Sequence, residues 1–229
     1  LSYEGSDYTA LRGVDVSYYQ GEIDWETAAS DGIDFAILRA GYRGSTEGGL
    51  FADSSFAQNL SGARQAGLQV GVYFFSQAIS VEEAEEEAHF VLELLDGASL
   101  DLPVFFDWEY VELEDEAART DTLGGSLITD CAIAFCEVIE NAGYQAGVYF
   151  FRSLGYHSYE LPRIAPYEWW VSCIGTVPDF YYDFRLWQYS YTATVNGIET
   201  QTDLNLWFIP TEPEPDLADQ PEPDSADTP

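Results

Sequence analysis

The chain of 229 residues has no lysine and no methionine, and 8 arginines face 41 acidic residues. A formal net charge of −33 excludes nucleic acid and anionic membrane surfaces as expected partners, because phosphate contacts need clustered basic side chains. Cysteine is almost as scarce. Cys131, Cys136 and Cys173 are an odd, sparse set that gives no disulfide framework. Cys131 and Cys136 fall on one predicted helix, in poor geometry for bridging each other, and read as small core residues. With only His89 and His157 and no cysteine cluster, neither a metal site nor any other cofactor is expected. No apolar run reaches the length that crosses a bilayer. No export signal is visible and Leu1 stands where a methionine would begin a nascent chain. The expectation is a mature or trimmed chain.

Aromatic residues are abundant, at 16%, and hydrophobic residues reach 46%. That supports one large buried core. The composition changes after Pro210: "TEPEPDLADQPEPDSADTP" is acidic, Pro-rich and has almost nothing to bury. Residues 211–229 are therefore expected as a disordered linker or tail, and residues 1–210 as the folded domain. Such a linker is expected either to lead to a further C-terminal module or to serve as a solubilising tail alone.

Within residues 1–210, apolar β-rich segments recur: "GVDVS" at 13, "FAILRAG" at 35, "QVGVYFF" at 69, "PVFFDWE" at 103, "QAGVYFF" at 145, "EWWVSCIG" at 168, "FRLWQYS" at 184 and "TDLNLWF" at 202. Near-continuous apolar runs suit strands covered on both faces, as in parallel sheets. Helical spacing lies between the early ones. Ser80 and Glu83 form a capping-box pattern ahead of Val81, Ala84, Ala88, Val91, Leu92 and Leu95. Phe56, Leu60 and Ala63 mark a helix closed by Gly67, and Ile128 to Ala142 another closed by Gly143. "AGLQVGVYFF" at 66 and "AGYQAGVYFF" at 142 are nearly the same ten residues, as expected of a barrel built from βα units. Later gaps are too short for packed helices. The predicted fold is α/β: an irregular TIM-like barrel of about five βα units followed by three strands with short connections.

Chemistry in such a barrel sits at the C-terminal strand ends. Side chains alternate along a strand, so Asp107 and Glu109 of "PVFFDWEY" share a face with Phe105, while Phe106 and Trp108 point to the helices. Asp15 sits late in the first strand, and Asp203 lies in the last strand, which closes beside it. A D-x-E pair alone is weak in so acidic a chain; four carboxyls at one barrel mouth are not. Two carboxylates about 6 Å apart repel by roughly 2–3 kcal/mol at an effective dielectric near 20, or about two pKa units. One of the group should then keep its proton near neutral pH. A retained proton beside ionised partners is what glycosidic cleavage needs.

These segments, from "GVDVSYYQGEIDW" through "DSSFAQNLSGARQAGLQVGVYFF" and "PVFFDWEY" to "VNGIETQTDLNLWF", run in one order over nearly all of residues 13–208. Together they resemble the glycoside hydrolase family 25 muramidases, the Chalaropsis-type lysozymes. The resemblance implies an irregular β/α barrel that hydrolyses the β-1,4 bond between N-acetylmuramic acid and N-acetylglucosamine. It places the general acid at Glu109, an acetamido-orienting carboxyl at Asp107, and charge-shaping carboxyls at Asp15 and Asp203. Tyr73 and Tyr149 become sugar contacts, with Trp187 and Gln188 in the sugar-binding wall. Trp170, near the end of the sixth strand, is added as a sugar contact, whereas Trp169, Tyr181, Tyr182 and Trp207 are expected in the core or barrel wall. The implied partner is bacterial peptidoglycan glycan, met by a monomer that is secreted or wall-associated. Alternative readings are a hydrolase of chitin-like polymers, a non-hydrolytic carbohydrate-binding barrel, and a metal-dependent phosphodiesterase barrel. The segment "VELEDEAARTDT" after Tyr110 departs from the family in its acidity, and "YTAT" at 191–194 stands where relatives often carry glycine.

Overall fold

The computed structural model describes residues 3, 5, 7–114 and 116–211. The expected tail beyond Thr211 lies outside the described residues. Strand β1 (Tyr8–Val16) leads through a 3-10 turn (Tyr18–Gln20) and helix α1 (Trp25–Ser30) to β2 (Phe35–Arg43) and β3 (Leu50–Ala52). Then come α2 (Phe56–Gln65), β4 (Gln69–Ser76), α3 (Val81–Leu95), β5 (Val104–Trp108), α4 (Gly125–Asn141) and β6 (Ala146–Phe151). The chain finishes with α5 (Arg152–His157), α6 (Leu161–Ile164), β7 (Glu168–Ser172), β8 (Leu186–Ala193) and β9 (Thr202–Pro210).

The sheet order is β1-β9-β8-β7-β6-β5-β4-β2-β3, and a further β1–β2 pairing closes eight of these strands into a barrel. Strands β1, β2, β4, β5, β6, β7 and β8 run parallel in successive pairs, and β9 runs antiparallel to both its neighbours. Two features differ from the sequence expectation. Strand β1 begins at Tyr8, ahead of the apolar signal. Strand β3 pairs antiparallel with the end of β2; it is three residues long and largely exposed, so no burial pattern announces it. The 173–185 connection carries no helix, as its short spacing predicts, and joins two parallel strands, a crossover that about a dozen residues can span.

Local chemistry explains the helices. The Ser80 hydroxyl accepts the Glu83 N–H at 3.3 Å, and the Glu83 carboxylate reaches back to accept the Ile79 N–H at 2.9 Å. Orphan amides of the first turn of α3 are thereby satisfied. Ala84, Ala88, Val91 and Leu95 bury the inner face of this helix. Gly67 and Gly143 follow α2 and α4 at φ 80° and 90°, a left-handed conformation that glycine adopts without a Cβ penalty.

Two apolar layers result. Outside the barrel, Phe106, Trp108, Val148 and Phe150 meet the helices, with Phe106 and Phe135 5.3 Å apart between ring centres. Inside, Phe35, Ile37, Leu102, Phe105, Trp170 and Leu186 fill the barrel below its mouth. Each such side chain contributes roughly 1.5–3 kcal/mol on burial. Gly147 makes room for the plug, because a Cβ there would stand 2.4 Å from the Phe105 ring. Behind the barrel, buried Arg43 binds Glu87 at 2.7 Å, the Gly48 carbonyl at 2.7 Å and the Glu83 carbonyl at 2.8 Å. That fan of bonds ties the β2 hairpin to α3.

Candidate active site

The strand register assembles the site. Asp15 of β1 lies directly opposite Asp203 of β9. Asp107, at the end of β5, is flanked by Phe75 of β4 and Tyr149 of β6. Glu109 follows where the β5 ladder has ended. The duplicated segments seen in sequence are β4 and β6, so they bracket β5 and bring Tyr73 and Tyr149 to either side of the acids. Asp15, Asp107, Glu109 and Asp203 line one cavity of about 230 Å³ at the barrel mouth, with Tyr73, Tyr149, Trp170, Gln188, Arg39, Tyr19 and Gln20. A larger hollow of about 890 Å³ adjoins it and shares Tyr19 and Gln20.

Two side-chain amides organise the Asp15 pole. Gln188 donates from Nε2 to Asp15 at 3.1 Å and to Asp203 at 3.2 Å, and accepts the Tyr149 hydroxyl proton at 3.0 Å. Asn205 donates to Asp15 at 2.7 Å and accepts from the Trp170 indole N–H at 2.8 Å. Tyr149 and Trp170 therefore fix which way each amide faces, and the amides fix Asp15. Asn205 was not singled out from sequence; its signal is its position two residues after Asp203, hence on the same face of β9.

Electrostatics follows from burial and crowding. Asp203 is pushed up to about 8 by burial first and by the charge of Asp15 next. Asp15 is raised by burial, with the bonds from Asn205 and Gln188 working against it. Asp107 is raised well above the usual carboxylate range by burial and then by Glu109 and Asp15. Glu109 is raised by burial as well, and its contact with Asp107 pulls it part of the way back. Asp107 and Glu109 thus share protons as a unit. Tyr73 and Tyr149 are raised by burial and by the carboxylates around them, so their hydroxyls stay neutral donors.

Arg39 is the cation of the cavity and escaped the sequence reading; its signal is a lone charge in the apolar run of β2. Its Nε binds Asp53 at 2.8 Å, which also accepts the Tyr18 N–H at 3.0 Å. The guanidinium lies 5.0–5.4 Å from the ring centres of Tyr18, Tyr19 and Tyr42, within cation–π range. Its charge acts to lower Asp107.

With this geometry established, sequence comparison is decisive: the profile of glycosyl hydrolases family 25 matches residues 14–198. The chain belongs to glycosyl hydrolases family 25. An autolytic lysozyme of Clostridium acetobutylicum is 26% identical over 198 residues, covering 85% of this chain and 55% of that protein. Among solved structures, the modular autolysin LytC of Streptococcus pneumoniae, in complex with a synthetic peptidoglycan ligand, superposes with a TM-score of 0.74 at 27% identity, over 86% of this chain and 46% of that one. The bacterial lysozyme of Streptomyces coelicolor gives 0.68 at 25% identity, over 87% and 92%. The chain thus spans about half the length of the clostridial and pneumococcal relatives.

Within this family 25 barrel, not every expected residue reaches the cleft. Trp187 is a correction: it alternates outward from Gln188, packs in the outer core and donates its indole N–H to the Cys173 carbonyl at 2.8 Å. Tyr181 and Tyr182, expected in the core or wall, are 85% and 47% exposed on the helix-free crossover. Trp169 is buried in the outer core, and Trp207 packs on the plug inside the barrel. His89 and His157 are both exposed. Among the described residues no group of His, Cys, Asp and Glu has the closeness a metal ion requires.

Proposed function

We propose that the chain is an N-acetylmuramidase, a lysozyme that cleaves the β-1,4 bond between N-acetylmuramic acid and N-acetylglucosamine in peptidoglycan. The observation that carries this reading is the single cavity that Asp15, Asp107, Glu109 and Asp203 line together, where burial raises each carboxyl above its usual range. Glu109 is the general acid. It is less buried than Asp107 and is the member of the shared-proton pair that a leaving-group oxygen can approach. Asp107, deeper and flanked by Tyr149, orients the 2-acetamido group. Asp15, whose ionised form is favoured by the Asn205 and Gln188 amides, stabilises positive charge developing at the anomeric centre, and Asp203, protonated at neutral pH, shapes the pocket beside it. Tyr73, Tyr149, Trp170 and Gln188 shape the sugar pocket. The adjoining hollow gives room for further residues of a glycan strand.

Peptidoglycan places the substrate outside the cytoplasm, and a secreted or wall-associated monomer fits it. Relatives about twice as long accord with a further wall-binding module. The test is Glu109→Gln, with lysis of purified cell walls as the readout. A loss of about 10²–10⁴-fold with unchanged folding is expected, and retained lysis overturns the assignment of the acid. Reducing-end analysis on peptidoglycan and on chitin oligomers decides the substrate; faster release from chitin oligomers overturns the muramidase reading.

A further inference from the structure

Glu109 lies one residue beyond the end of its strand. The β4–β5 ladder stops at Ser76↔Trp108 and the β5–β6 ladder at Asp107↔Tyr149. No strand neighbour is left to hold the backbone that carries this acid. A side chain takes that place. The Gln77 amide, fully buried, donates to the Glu109 carbonyl at 2.7 Å and to the Ser76 carbonyl at 2.8 Å. Its Oε1 accepts the Thr120 hydroxyl at 3.1 Å, and its backbone carbonyl accepts from Arg119 at 3.3 Å. Arg119 in turn binds Glu83 of α3 at 2.6 Å and donates its N–H to the Ser45 carbonyl at 2.9 Å. The acidic segment after Tyr110 is therefore pinned at its far end, and the pin closes on Gln77.

We propose that Gln77 is a positioning residue for the acid: it replaces the missing ladder partner of Glu109, and Thr120 and Arg119 lock it in that orientation. This rests on Glu109 being the general acid. A buried amide whose donor and acceptor are both used has one rotamer that satisfies them, so the Glu109 backbone inherits its precision. Without the clamp, Glu109 moves toward solvent, where its proton is lost at lower pH.

The experiment compares wild type, Gln77→Leu, Gln77→Met, Thr120→Val and Glu109→Gln on soluble peptidoglycan fragments, with folding checked by circular dichroism. In folded Gln77 variants, kcat should fall about 10- to 100-fold, KM should change less than about threefold, and the alkaline limb of the kcat–pH profile should move down by about one unit. Thr120→Val removes the bond that locks the amide, so the amide turns away from the Glu109 carbonyl for part of the time, and a smaller fall in kcat with a smaller limb shift in the same direction is expected. Mere loss of stability lowers the active fraction without moving that limb. Wild-type kcat and pH profile in a folded Gln77 variant, with Glu109→Gln inactive, overturn the proposal alone. An active Glu109→Gln overturns the acid assignment beneath it. If neither Gln77 variant folds, Thr120→Val decides: a shifted limb supports the clamp, and an unshifted one overturns it.

Discussion

At the scale of single residues, the site depends on who faces whom. Asp15 and Asp203 stand directly across an antiparallel pair, an arrangement that costs stability when both are charged. The sign of the resulting pH dependence is fixed by the direction of the shift. A carboxyl raised from 3.8 to about 8 in the fold favours folding while protonated, and that contribution is lost as pH climbs from the unfolded value through the folded one. Asp203→Asn should therefore flatten the decline in urea-unfolding stability between about pH 4 and 8 while lowering activity. Trp170→Phe removes the indole N–H that holds Asn205 and leaves a void in the plug; a fall in kcat of about tenfold and a melting temperature lower by roughly 2–8 °C are expected from steady-state kinetics and calorimetry. The four acids were legible in sequence because strand alternation and strand ends place them. Arg39 and Asn205 were not, since nothing in a lone arginine or asparagine says which neighbour it will clasp. Trp187 misled because a sugar-wall role was assigned without its alternation relative to Gln188.

At the scale of elements, most of the barrel could be read from apolar runs, glycine turns and the repeated "GVYFF". What stayed hidden was short or locally unsupported: β3, with no buried face, and the helix-free 173–185 crossover, where spacing suggested loops without giving strand direction. The join between the β2 hairpin and α3 is also invisible locally, since Arg43 and Glu87 are far apart in sequence. Glu87 is held near 7 by burial, with Ser76 and Arg43 working to lower it. Arg43→Met leaves that acid buried without its cation and should cost about 3–5 kcal/mol in denaturant unfolding, while Arg43→Met with Glu87→Leu should recover most of the loss. Gly147→Ala drives a methyl against the Phe105 ring and the Glu168 carbonyl, so a loss of about 1–3 kcal/mol is expected in the same assay.

At the scale of the whole molecule, the net charge of −33 opposes approach to any wall that carries anionic polymers, the surface on which the proposed function would act. Lysis of intact walls should accelerate as ionic strength rises from about 0.01 to 0.15 M, where the Debye length shrinks from about 30 to 8 Å. Small neutral fragments should show no such rise. Closure of the barrel is itself the origin of the chemistry, because only the return of β9 against β1 brings Asp203 to the acids of β1 and β5. The most direct test of that crowding is a carbon-13 NMR titration of the carboxyl groups in the resting enzyme. A carboxyl titrating near pH 8 that disappears in Asp203→Asn is the predicted result; a spectrum in which every carboxyl has ionised by about pH 5 contradicts it.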